Sequence, residues 1–160
     1  MAGQMLYVKK GEKDMAKPSV PYSKDNEYYT PKYVVDFFYP TGFDYDPATC
    51  KEKAIEFGVP YYDTIETNGL IQDWTKHKRI WINPPFTDKY RFLLKAVETY
   101  KSAHNTIYIL FPIEFLTTAK FHDLECKCKL FVPKGRINFE SRFRYKRKKS
   151  WIWQCYNKTC

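Results

Sequence analysis

The run NTIYILFP, residues 105–112, constrains the fold of this chain more than any other stretch. It would present apolar side chains on both faces of an extended strand, which is typical of a strand buried inside a parallel sheet. The segment just before it, KYRFLLKAVETYKSA, spaces its apolar residues by three and four, as an amphipathic helix does. These residues are Phe92, Leu93, Ala96, Val97 and Tyr100. A helix that leads into such a strand indicates an α/β protein.

The same alternation of strand and helix occurs earlier in the chain. A helix is predicted to begin with Thr30 as its N-cap and Pro31 at its first position, and to end before Pro40. A short strand then ends at residues 46–47, and a helix follows as far as Gly58.

More strands are predicted on both sides of the apolar run. The segment VPYYDTIETNGLIQDW contains a second short strand and a turn at residues 68–69, and a third strand covers residues 79–83. Beyond residue 112 we expect a short helix in IEFLTTAKFHDLE and a strand in KCKLFVPKG. Repeated alternation of this kind predicts a mainly parallel central sheet with helices on both faces, in a compact single domain.

Length and charge narrow the class of protein. The chain has 160 residues, enough for one domain with a real core. It carries 27 Lys and Arg against 18 Asp and Glu, a formal charge of +9. Such a charge favours a polyanionic partner such as nucleic acid, although a basic protein without that role fits the composition equally well.

The sequence also argues against a membrane protein, a secreted disulfide-rich protein and a metalloprotein. No stretch is long and apolar enough for a membrane span, and the first residues lack a signal-peptide pattern. We therefore expect a soluble, intracellular protein without a membrane partner, in the cytoplasm or, if it is viral, in the cytoplasm or nucleus of the host cell. The five cysteines are odd in number and form no CxxC pair, and the three histidines are scattered. Free thiols and no metal site are expected.

The four residues Asn83, Pro84, Pro85 and Phe86 follow the third predicted strand, at the sheet edge where ligands bind in α/β proteins. Proline fixes φ, lacks an N–H and holds the preceding residue extended. Such a turn can direct the Asn83 side-chain oxygen and the Pro84 carbonyl at one exocyclic amino group, while Phe86 lies against the ring that carries it. Hydrogen bonds from both N–H groups favour a pyramidal nitrogen whose lone pair can attack an electrophile. The alternative is that the prolines only end the strand and Phe86 is core.

The NPPF turn resembles the catalytic motif of S-adenosylmethionine-dependent methyltransferases that act on amino groups such as adenine N6. Other segments agree in order and spacing: YYTPKYVVDFF, FDYDPAT, TNGLIQDW and KGRINF. Together they are most similar to the short phage-type, Dam-like DNA N6-adenine methyltransferase family, over about residues 25–139. The resemblance implies a Rossmann-like methyltransferase fold, S-adenosyl-L-methionine as the cofactor, and the catalytic roles described above for residues 83–86.

The resemblance also implies which residues lie near the cofactor. They are Tyr29, Thr30, Pro31, Asp46, Pro47 and Ala48. Asp63 and Glu66 are candidates for ribose contacts, and Asn68 stands where relatives often have an acidic residue. Many relatives have glycines after the Asp-Pro-Ala turn, whereas residues 49–51 here are Thr-Cys-Lys. Read without the resemblance, Asp-Pro is also a common opener of turns.

The substrate side is predicted from charge. An adenine inside a duplex is out of reach, so the enzyme would act on a flipped-out base or on a single strand. Residues 1–24 read as a flexible basic arm, and residues 25–160 as the methyltransferase domain with a basic segment at 141–149. Residues expected to bind nucleic acid are Lys89, Arg142, Arg144, Lys146, Arg147 and Lys148. The basic C-terminal segment fits a solvated strand equally well.

The sequence does not fix the target sequence, the acceptor group or the oligomeric state. No large target-recognition insert is present, so the TDKY loop, the EFLTTAKFHD segment or a partner chain would set the target sequence. RNA adenine, cytosine N4 and a glutamine amide are alternative acceptors, and Asn83 favours adenine over cytosine. A homodimer or a partner subunit is also considered. The alternative from another class is a catalytically inactive accessory subunit that binds nucleic acid.

Overall fold

The computed structural model describes residues 28–38, 42–124, 126–140, 146–148 and 150–155, the last two ranges by their backbone alone. The expected basic arm at residues 1–24 lies outside the described residues. The helices are α1 (Lys32–Phe38), α2 (Lys51–Phe57), α3 (Lys89–Ala103) and α4 (Ala119–His122), with 3-10 turns at Gly69–Ile71 and Ile113–Thr117. The strands are β1 (Tyr45–Asp46), β2 (Tyr61–Tyr62), β3 (Arg79–Ile82), β4 (Thr106–Pro112), β5 (Cys128–Phe131), β6 (Ile137–Phe139), β7 (Lys146–Lys148) and β8 (Ser150–Cys155).

The main sheet has six strands in the order β2-β1-β3-β4-β8-β5. The first four run parallel, as the sequence predicts, with Ile80 opposite Ile107 in the β3–β4 ladder. Strand β8 is antiparallel to both of its neighbours, β4 and β5. A separate two-stranded ribbon pairs β6 with β7.

The two faces of the sheet are both buried, which explains the uninterrupted apolar run at β4. On one face, Ile107 and Ile109 join a core cluster that includes Leu93 and Ala96 of α3. On the other face, Tyr108 joins a second cluster with residues of α1 and α2. Successive side chains of a strand point to opposite faces, so β3, like β4, contributes to both clusters. The prediction of helices on both faces is confirmed.

Helix α1 corrects one prediction. The helix occurs where expected, and the Val34 N–H donates to the Pro31 carbonyl at 3.0 Å. Thr30, however, does not cap it: within the described residues its Oγ1 has no hydrogen-bond partner, although the residue is only 2% exposed. Among the described residues, no helix combines the length and apolar composition needed to cross a membrane.

Candidate active site

The strand order creates a crevice at the carboxyl edge of the sheet. From β1 the chain crosses by α2 to β2 on one side, and from β3 it crosses by α3 to β4 on the other side. Helices α2 and α3 pack on opposite faces, as right-handed crossovers in opposite directions require. The loops after β1 and β3 therefore diverge, which is the place where open α/β sheets bind ligands. Asp46 ends β1 and Asn83 directly follows β3, so both lie at this edge.

The Asn83 amide is held in one orientation by a neighbouring segment. Its Nδ2 donates to the Tyr28 carbonyl at 2.8 Å, which places the amide nitrogen on the side of Tyr28. Within the described part of the chain, neither Asn83 Oδ1 nor the Pro84 carbonyl accepts a hydrogen bond. The Pro85 carbonyl accepts from the Asp88 N–H at 3.1 Å. The turn thus fixes the orientation of the Asn83 amide and leaves two oxygen atoms, Asn83 Oδ1 and the Pro84 carbonyl, available to accept hydrogen bonds from a ligand.

The segment that orients Asn83 is itself fixed. The Tyr29 N–H donates to the Glu140 carbonyl at 2.8 Å, and the Glu140 N–H donates to the Tyr29 carbonyl at 3.0 Å. The Glu140 carboxylate pairs with Lys53 of α2 at 2.5 Å. The Tyr-Thr-Pro segment and the end of the KGRINF segment, predicted separately, are therefore side by side.

A pair of carboxylates lies at the ends of β1 and β2. Asp46 Oδ1 accepts from the Ala48 N–H at 3.0 Å, and the Asp63 N–H donates to the Asp46 carbonyl at 2.9 Å. Tyr45 donates its hydroxyl to Asp63 Oδ2 at 2.5 Å. Burial raises the pKa of Asp46 to about 7; the Ala48 N–H opposes this rise, and the nearby charge of Asp63 adds to it.

Burial and the hydrogen bond to Asp63 also raise the pKa of Tyr45, so its hydroxyl remains a donor. Glu66, the other candidate for a ribose contact, is exposed and accepts a hydrogen bond from Thr64. The structure thus brings Asp63 to Asp46, and it places Glu66 in the loop beyond them.

The Asp-Pro-Ala turn after β1 is approached closely by Gly69. A Cβ added at Gly69 would lie 2.0 Å from the Pro47 carbonyl oxygen, so only glycine fits there. The Gly69 carbonyl accepts from Trp74 Nε1 at 2.8 Å, and Asn68 Oδ1 accepts from the Leu70 N–H at 3.2 Å. The sequence marks Asn68 and Gly69 as a turn, but this contact across 22 positions has no local signal.

The outer rim of the crevice carries cations over aromatic rings. Phe86 is 52% exposed, and Lys89 Nζ lies 4.5 Å from its ring centroid. Burial lowers the pKa of Lys89, and the nearby charge of Glu114 opposes that shift. Lys120 Nζ lies 4.6 Å from the ring centroid of Tyr90. The loop after Phe86 therefore contacts the segment after β4, and both were expected to set specificity. Lys120 is a residue of this rim that the sequence did not predict.

Some sequence predictions concern residues whose side chains are not described. Arg142 and Arg144 lie outside the described residues, and Lys146, Arg147 and Lys148 are described only as the backbone of β7. Cys50 is a free thiol, as expected. Within the described residues, no group of three or more His, Cys, Asp or Glu is placed to hold a metal ion.

Comparison with known proteins agrees with the motifs. A family model described as DNA N-6-adenine-methyltransferase (Dam) matches residues 17–152. A protein of Escherichia phage T1 named DNA N-6-adenine-methyltransferase is 32% identical over 72 residues, which cover 45% of this chain and 29% of the phage protein. The match thus spans less than a third of that relative's length. Because the family model covers far more than half of the chain, this protein belongs to the DNA N-6-adenine-methyltransferase (Dam) family.

Proposed function

We propose that this protein transfers a methyl group from S-adenosyl-L-methionine to the exocyclic N6 of adenine in DNA, on a flipped-out or single-stranded base. The orientation of Asn83 is the observation that carries the proposal. Its amide nitrogen is occupied by Tyr28, so its oxygen and the Pro84 carbonyl are both available as acceptors for one amino group. A turn whose only purpose is to end a strand does not require this arrangement.

The proposed chemistry follows from those acceptors. Adenine N6 has two N–H donors, and its lone pair is delocalised into the ring. Hydrogen bonds to Asn83 Oδ1 and the Pro84 carbonyl favour a pyramidal nitrogen with a localised lone pair, and the rigid turn needs no reorganisation. Phe86, half exposed at the mouth, stacks on the base. A neutral amide suits this step, because the nitrogen loses its proton to water only after the new C–N bond has made it cationic.

The residues expected near the cofactor fit its chemistry. S-adenosylmethionine supplies the methyl group as an electrophile on a sulfonium, and its amino-acid end and ribose offer an ammonium, a carboxylate and two hydroxyls. The chain offers a buried Thr30 hydroxyl without a partner in its described part and a buried Asp46 carboxyl beside Asp63. An unpaired buried polar group costs about 1–3 kcal/mol, which a ligand can recover. We assign Tyr29, Thr30 and Pro31 to the amino-acid end, and residues 46–48 with Asp63 to the rest of the cradle.

The DNA side of the proposal rests on charge. Unstacking a base costs a few kcal/mol, which contacts to the DNA backbone must offset. Lys89 lies beside Phe86 at the mouth, where a flipped nucleotide would enter. Arg142, Arg144, Lys146, Arg147 and Lys148 are proposed to extend these contacts.

The test combines product detection with binding. Purified protein, labelled S-adenosylmethionine and DNA should give N6-methyladenine; Asn83→Ala should abolish that product while DNA binding persists. Asn138→Ala, which removes an exposed amide on β6, is the matched control and should keep full activity. Wild-type protein that methylates RNA and not DNA would replace the substrate in this proposal. Protein that binds nucleic acid but methylates neither would support the inactive accessory subunit.

A further inference from the structure

The side-chain ammonium group of Lys95, on α3, binds main-chain carbonyls of a single turn. Its Nζ donates to the Leu70 carbonyl at 2.7 Å and to the Gln72 carbonyl at 2.5 Å. It also lies 5.2 Å from the ring centroid of Trp74. Burial lowers the pKa of Lys95. Within the described residues, it forms no ion pair with a carboxylate.

The turn that Lys95 binds is held by side-chain donors as well as by its own backbone hydrogen bonds, from the Ile71 N–H to Asn68 and from the Gln72 N–H to Gly69. Trp74 Nε1 donates to the Gly69 carbonyl, so two side chains together bind the carbonyls of residues 69, 70 and 72. Gln72 Nε2 donates to the Thr67 carbonyl at 2.9 Å and ties the two ends of the loop. A three-residue 3-10 turn has little stability of its own. Its position therefore depends on these donors.

The same turn lies against the loop that is proposed to hold the cofactor. The backbone at Gly69 is so close to the Pro47 carbonyl that a methyl group does not fit between them. Pro47 follows Asp46 directly, and the Ala48 N–H donates to the Asp46 carboxyl. A shift of the turn therefore changes the packing of residues 46–48.

Helix α3 adds a link to the other half of the crevice. It begins at Lys89, three residues after Phe86, and Lys95 lies less than two turns further along. The helix that follows the Asn-Pro-Pro-Phe turn thus holds, through one side chain, the turn that supports the Asp-Pro-Ala loop.

We propose that Lys95 is a positioning residue for the methyl donor: through the Gly69 turn it holds the loop at residues 46–48 in the conformation that binds S-adenosylmethionine. This inference rests on the proposed function. Lys95 itself touches neither substrate in this proposal. Its loss would leave the loop to be ordered by the cofactor, and binding would be weakened by that cost.

The experiment compares Lys95→Met with Lys101→Met, which removes an exposed ammonium near the end of the same helix. Calorimetry without DNA should show the cofactor Kd of Lys95→Met raised about tenfold, the factor expected for loss of a charge-assisted hydrogen bond. The KM for the cofactor should rise with it, while kcat and DNA affinity stay within about twofold. Lys101→Met should match wild type, and Lys95→Arg should recover part of the lost affinity.

Thermal unfolding separates this role from general stabilisation. A Lys95→Met protein with a lower Tm but wild-type cofactor Kd would overturn the inference and leave the proposed function intact. If wild-type protein itself does not bind S-adenosylmethionine, the proposed function fails first. Should Lys95→Met not fold, Trp74→Phe gives the second test, because it removes the donor to Gly69 and keeps an aromatic ring. Its cofactor Kd should also rise, and an unchanged value would refute the inference.

Discussion

Replacing Asp46 by asparagine should change how the stability of this protein depends on pH. The Asp46 carboxyl is 2% exposed, and burial, with a smaller contribution from the charge of Asp63, raises its pKa from 3.8 to about 7. In the unfolded chain the group titrates near its ordinary value. Between pH 4 and 7 the native protein therefore keeps a proton that the unfolded chain has lost. Because the native state binds more protons, the free energy of unfolding falls as pH rises through this window.

The size of the effect follows from the shift. A change of about 3 pKa units corresponds to on the order of 4 kcal/mol, since one unit is about 1.4 kcal/mol. The contribution of Asp46 is thus most favourable below about pH 4 and is lost by about pH 8 in the absence of a ligand. Asparagine has nearly the same shape as aspartate and does not ionise. The free energy of unfolding of the Asp46→Asn protein should therefore not show this fall between pH 4 and 8.

Urea unfolding at several pH values between 4 and 8 measures the difference. The stability of Asp46→Asn relative to wild type should increase steadily with pH and level off above about pH 7. Asp63 and Tyr45 are present in both proteins, so the difference between the two profiles reports on position 46. Parallel pH profiles for the two proteins would refute the assignment of a raised pKa to Asp46.

Binding of the proposed cofactor, S-adenosyl-L-methionine, gives a second readout of the Asp46 carboxyl. If the Asp46 carboxylate binds a ribose hydroxyl of the cofactor, binding favours the ionised form and releases a proton near pH 6. Calorimetry in buffers of different ionisation enthalpy should detect that proton with wild type and not with Asp46→Asn. Equal proton release by both proteins would place the cofactor's contact on another group.

Three further variants test other parts of the crevice. Phe86→Ala should lower kcat/KM for DNA about tenfold or more through lost stacking, with Tm unchanged because the ring is half exposed; full activity would remove Phe86 from the site. Lys89→Met should reduce the slope of log K against log salt for DNA binding by about 1, while the control Lys101→Met leaves it unchanged; an unaltered slope for Lys89→Met would exclude a phosphate contact. Gly69→Ala should lower the free energy of unfolding by about 1–3 kcal/mol, because its Cβ would meet Pro47; wild-type stability in urea would show that this contact is not tight.

The spacing of apolar residues predicts those helices and strands whose own sequence shows which faces are buried. Helix α3 covers the segment whose apolar residues recur at three and four, and β4 is the strand that the apolar run indicates. Both patterns record which faces are buried, and the sheet buries both faces of β4. The position of the Asn83 turn and of Asp46 at one edge also follows, because parallel strands end on the same side.

Local sequence patterns do not predict the position of β8 within the main sheet. It lies between β4 and β5 and pairs with both, although it follows β5 by some twenty residues. Order within a sheet is set by which ladders can form, and a strand's own residues do not encode its neighbours. The basic run before it favoured an interpretation as a nucleic-acid-binding or solvated segment. The backbone of residues 150–155, which follow that run, is an interior strand of the main sheet.

The missing glycines after Asp46 illustrate a further limit of reading a motif along the chain. Glycine is used at such a turn because another group must come close to the backbone. Here the close approach is made by Gly69, which faces Pro47 from the opposite segment. The glycine in this contact lies in the segment that packs against the turn and not in the turn itself. The packing around a turn therefore has to be known before the glycines that follow it in the sequence can be interpreted.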